Sequence, residues 1–153
     1  MGGNRMDATP DRALLDRIVE TPVSDTSVRV AEEMVSLRAV AASDELLAPL
    51  AAALALQSVA ALLTGVFSGS PYLQALALRD PTRLQRLLIE APETRLADLV
   101  ATVQRDVGAA ATMADAMRAL RLFKAEAALL TGLCDLAGVW PVMQATAALS
   151  AMA

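Results

Sequence analysis

Apolar residues recur along this chain at steps of three and four, the spacing of one helical face, and leave little material for strands. The longest row runs from about Thr112 to Ala137. Met113, Ala116, Leu120, Phe123, Ala127, Leu130, Cys134 and Ala137 make an unbroken heptad seam, with Leu122, Leu129, Leu133 and Leu136 in a second row beside it. Together the rows cover more than half of the circumference, which predicts a helix at the bundle centre touching several neighbours. At ~100° per residue, Glu126 falls between the two rows, an odd place for a carboxylate. Burial there requires a charged partner, and no basic residue stands three or four positions away, so the partner must come from another helix. Arg118, Arg121 and Lys124 point away from the seam, to one side.

Breaks in the pattern mark the remaining elements. Pro10 opens a short helix toward Val19, stopped by Thr21 and Pro22. Ser24, Asp25 and Ser27 are candidate caps for a second helix ending near Ser43. A third begins near Asp44, restarts or kinks at Pro49, and stops at Gly65 or runs on to Phe67. Ser70 before Pro71 and Asp80 before Pro81 are paired cap-then-proline starts: an oxygen accepts from an orphan amide, and the proline has no amide to leave unpaired. Pro92 begins another helix, stopped by Gly108. The pattern therefore predicts an all-α fold, an irregular bundle of about six to eight helices with no sheet. Residues 1–24 read as a polar arm with a short helix, and 25–153 as a single helical domain.

Composition sharpens this. Hydrophobic residues are 56% and aromatics 3%, so alanine and leucine must form the core through close helix packing. The net charge of -4 argues against nucleic acid as a partner, which needs a basic footprint. A single cysteine allows no internal disulfide and suits a reducing cytoplasm. Leu46 to Leu78 carries no charge and is long enough to cross a bilayer, which leaves a small membrane-associated helical protein as an alternative. Its alanine content, its polar residues and its lack of aromatic or basic anchors favour a buried central helix instead.

Candidate chemistry is sparse. With no histidine there is no Ser-His-Asp or Cys-His arrangement, and Cys134 lies in the seam with no cation to activate it. Gly69-Ser70 opens the active-site motif of many nucleotidyltransferases, but no Asp-x-Asp pair follows to hold magnesium, and the Gly-Ser reads as a helix start. No catalytic, cofactor-binding or metal-binding residue is assigned. Arg118, Arg121 and Lys124 form either a solvated basic face or a contact edge for a neighbouring domain, a partner or a phosphate.

Two separated stretches, "SGSPYLQALALRDP" and "LRLFKAEAALLTGLCDLAGVWPVMQATAALSAMA", together resemble the bacterial glutamine synthetase adenylyltransferases and adenylyl-removing enzymes. The matching residues are Ser70, Pro71, Tyr72, Leu73, Arg79, Asp80 and Pro81, then Leu120, Arg121, Lys124 and Glu126, then Asp135, Leu136 and Gly138, then Leu149 and Ser150. They keep the family's order between about Ala60 and Ala153, in its N-terminal helical region. The resemblance implies a chain inactive by itself, whose strand, Gly-Ser turn and metal-binding carboxylates lie beyond Ala153. For the full-length family enzyme it implies ATP and magnesium. As partners it implies the remainder of the parent enzyme, glutamine synthetase and PII-type nitrogen-signalling proteins. The alternative from another class is a non-enzymatic helical interaction module. The resemblance also ties the Asp80 corner to the unit that holds Glu126, and so nominates Arg79, Arg83 and Arg86 as its partners.

Overall fold

The structure, a computed structural model, describes residues 12–21 and 27–140. Among these it has seven α-helices and no strand. Helix α1 spans Val28–Ser43, with the Ser27 hydroxyl accepting from the Val30 N–H at 3.3 Å. A 3-10 turn at Glu45–Leu47 leads into α2, Ala48–Leu54, and α3 spans Gln57–Gly69. Helices α4, Pro71–Arg79, and α5, Pro81–Ile89, meet at the Asp80 corner. Helices α6, Pro92–Ala109, and α7, Met113–Leu136, form a long antiparallel hairpin.

The caps act locally. Ser70 Oγ accepts from the Leu73 N–H at 3.2 Å, and Asp80 Oδ1 accepts from the Arg83 N–H at 3.1 Å. Each satisfies one orphan donor of a helix whose first residue is proline, which has no amide to lose. Two nine-residue helices can therefore stand back to back with a sharp corner between them. Thr112 does the same for α7, accepting from the Asp115 N–H at 3.1 Å.

The expected third helix is not continuous. The chain bends by 90° between Glu45–Leu54 and Gln57–Gly69, through an extended Leu56. Pro49 does not kink it, because it occupies the first turn of α2, where a missing N–H costs nothing. The opposite end of α2, where it leaves the 3-10 turn, is held from α5. Gln85 accepts from the orphan Leu50 N–H at 3.1 Å and donates to the Leu46 carbonyl at 3.2 Å. Gly65 is buried within α3 and does not end it. Among the described residues no single helix is long and apolar enough to cross a membrane. The uncharged stretch instead supplies the core: Leu50, Leu62, Leu63, Val66 and Phe67 have no exposed surface. Each such side chain contributes about 1.5–3 kcal/mol on full burial. They meet Leu84, Leu87 and Leu88 of α5 and Leu129, Leu130 and Leu133 of α7.

Two further expectations change. Gly108 lies within the last turn of α6, which continues to Ala109. In place of a helix toward Val19, the described residues give a single 3-10 turn, Leu14–Asp16, followed by non-helical chain. That segment is tied to the bundle by tertiary contacts. Leu14 is fully buried, its N–H donates to the Glu90 carbonyl at 3.2 Å, and the Val19 and Glu20 amides both donate to Ala137 at 3.0 Å. Backbone groups committed to α7 are unavailable for local helix bonds. Of the candidate caps, Ser24 and Asp25 lie outside the described residues.

Candidate interaction arm and its charged anchor

Two ion-pair networks gather where α5, α6 and α7 meet. Ala91 is extended just before Pro92, so the chain turns there and brings Glu90, Glu93 and Arg95 around one corner. Glu126, 7% exposed, faces that corner from α7. Arg95 donates to its Oε1 through Nε at 2.9 Å and reaches it with Nη2 at 2.8 Å. Arg86 Nη2 lies 3.5 Å from Oε2, and Arg95 Nη1 lies 3.7 Å from Glu90. Two guanidinium groups thus compensate one buried carboxylate, and Glu90 moderates the excess positive charge.

The sequence nominated Arg79, Arg83 and Arg86 for this role, and Arg86 is one of the two partners. Arg79 is exposed at the end of α4. Arg83 is buried but turns toward its own cap, Nε lying 4.0 Å from Asp80. Arg95, whose contacts with Glu126 are the shorter ones, was missed because α6 was not counted as part of that corner.

The second network secures the N-terminal segment. Arg17 grips Glu93 with both forks, at 2.6 and 2.9 Å, and Trp140 Nε1 donates to the same carboxylate at 3.1 Å. Burial pushes the Glu93 carboxyl up, but hydrogen bonds from Arg17 and then Trp140 outweigh it, and the net shift is downward. The bond to Glu93 raises the Arg17 guanidinium further, against burial. Cys134 lies nearby with no exposed surface; burial first, then the negative charge of Glu93, push its thiol up. It stays protonated and is no nucleophile. Among the described residues, no three His, Cys, Asp or Glu side chains converge on a metal site.

Beyond this anchor the hairpin becomes an arm. No residue from Ala101 to Leu122 is buried. The seam predicted along all of α7 is buried only from Phe123 onward: Met113 is 78% exposed, and Leu120 and Leu122 are exposed as well. Arg118, Arg121 and Lys124 are exposed on this arm, and among the described residues none is in an ion pair. Between Ala101 and Lys124 four cations face two carboxylates, in a chain of net charge -4. The arm therefore combines positive charge with exposed Met113, Met117 and Leu120.

The glutamate-ammonia ligase adenylyltransferase family model matches residues 60–153. A Bradyrhizobium sp. (strain BTAi1) protein is 51% identical over 92 residues, 60% of this chain and 9% of its own length. A Rhodopseudomonas palustris protein is 50% identical over 100 residues, 65% of this chain and 9% of its own. One from Xanthobacter autotrophicus is 38% identical over 152 residues, 94% of this chain and 14% of its own. All three are named bifunctional glutamine synthetase adenylyltransferase/adenylyl-removing enzyme. No solved structure matches. The chain spans only about a tenth to a seventh of the relatives' length. The match includes both cap-proline helix starts of the Asp80 corner, the charged anchor at Glu126 and the whole α6–α7 hairpin, and the chain belongs to the glutamate-ammonia ligase adenylyltransferase family.

Proposed function

We propose that this chain is a helical, non-catalytic part of an enzyme that adds AMP to glutamine synthetase and removes it, and that its arm meets the rest of that enzyme. Family membership over residues 60–153 carries the first half of this reading. The second half is supported by the unburied Ala101–Leu122 hairpin, its basic edge at Arg118, Arg121 and Lys124, and the exposed methionines beside it. ATP and magnesium belong to the catalytic parts of such an enzyme, where paired carboxylates hold the metal. Glutamine synthetase and a PII-type signalling protein are the outside partners, in the cytoplasm. The arm acts as a lever whose base is locked by Glu126 and whose tip is free to dock.

The test has two parts. The purified chain should give no magnesium-dependent transfer or release of AMP on glutamine synthetase. It should bind the remainder of the parent enzyme supplied in trans. Reversing Arg118, Arg121 and Lys124 to glutamate should weaken that binding by about tenfold or more, with the melting temperature unchanged. AMP release lost on a point change within this chain, or binding indifferent to the reversal, contradicts the reading.

A further inference from the structure

One face of α6 is left open. Leu96, Ala97, Val100, Ala101 and Gln104 line a shallow, largely apolar groove of about 520 Å³, closed at one end by Glu93 and Trp140. The two alanines on its floor let a second helix approach closely, as small residues do at close helix crossings. Trp140 is 5% exposed and donates to Glu93, so the last described residue is pinned at the start of the groove.

After Trp140 the chain continues as "PVMQATAALSAMA", thirteen residues without a charge. Val142, Ala145, Leu149 and Met152 recur at steps of three, four and three, one face of a helix. Pro141 stands where Pro71, Pro81 and Pro92 stand at the starts of α4, α5 and α6. As a helix the segment is about 20 Å long, and Glu93 to Gln104 spans about 16 Å along α6. We propose that Pro141–Ala153 is the occupant of this groove, lying parallel to α6 with Ala145 opposite Ala97, Leu149 opposite Ala101 and Met152 opposite Gln104. The register is set by the anchor: Trp140 is tied to Glu93, so a helix that starts at the next residue, Pro141, starts level with Glu93 and rises at the same rate as α6.

Cysteine pairs in the full-length chain test this. Oxidised Ala101→Cys/Leu149→Cys should form a disulfide within one molecule, and Ala101→Cys/Ala147→Cys, on the opposite side of the segment, should not. Equal cross-linking of the two pairs, or none in either, overturns the proposal. A disulfide between chains at dimer mass does so too, assigning the groove to a second copy. The one tryptophan gives an independent readout. Leu149→Asp should shift Trp140 emission to the red and increase its quenching by acrylamide. Unchanged emission from that variant, with helical circular dichroism like the parent's, counts against the proposal. If the variant unfolds, the cysteine pairs decide.

Discussion

The two halves of α7 carry the same hydrophobic spacing and meet opposite fates. From Phe123 to Cys134 the seam is buried against α3 and α4, close enough that a Cβ added to Gly132 would lie 2.6 Å from Leu73. From Met113 to Leu122 no residue is buried. Periodicity sets which side of a helix is apolar, and the neighbours set whether that side is covered. The charged residues obey the same division. Glu126 at the inner edge is surrounded by two arginines, whereas Arg118, Arg121 and Lys124 on the arm face solvent.

The largest way to break this contrast is Glu126→Ala. It leaves Arg95 and Arg86 facing each other without their carboxylate, and removing one partner of a buried pair costs about 3–5 kcal/mol. Chemical denaturation should show that loss as a lower midpoint with helical content retained in the native baseline. A neutral result means that the inner half of α7 does not depend on its charged anchor.

Gly138 closes the buried half. Its φ of +69° is the left-handed conformation of a helix stop, and the Val139 and Trp140 amides fold back to Cys134. Gly138→Ala should cost about 1–2 kcal/mol, the penalty for a Cβ in that conformation. An added Cβ would also press on Glu20 at 3.1 Å, so proteolysis of the N-terminal segment should become easier.

A smaller effect sharpens how that segment is held. The Glu93 carboxyl is depressed in the folded state, so it stabilises above the ordinary carboxylate range and its contribution is lost as pH falls through the lowered value. Arg17 stays charged throughout and adds no slope of its own. Glu93→Gln should therefore flatten the acid limb of the stability profile below about pH 4.3. Near neutrality its cost should stay under about 1 kcal/mol, because the Glu93 side chain is 40% exposed. An unchanged acid limb means that the Arg17–Glu93 grip is absent in solution.

The smallest expected effect lies on the arm. Arg118→Ala and Met117→Ala should each change stability by no more than about 0.5 kcal/mol, as surface substitutions do. A larger loss from either variant, read from the melting temperature of the isolated chain, means that the outer half is covered, and the contrast between the two halves disappears.

Much of the fold was legible in the sequence because its signals are local. Ser27, Ser70 and Asp80 bind amides within three residues, and such caps work in whatever surroundings the helix finds. The odd position of Glu126 was legible too, since the turn per residue fixes it. Its choice of Arg95 over Arg79 or Arg83 was not, because that partner comes from 31 positions away and depends on where α6 leaves the Ala91 corner. The 90° break in the Leu46–Phe67 stretch was hidden for a similar reason. No proline or glycine marks Ala55 and Leu56, and the two sides of the bend pack on different neighbours, α2 on α5 and α3 on α4 and α7. Sequence spacing determined the apolar faces, and cap and proline signals the starts of α1, α4, α5 and α6. Tertiary packing alone decided which faces were covered, because burial depends on neighbours far along the chain, whereas the geometry of a turn does not.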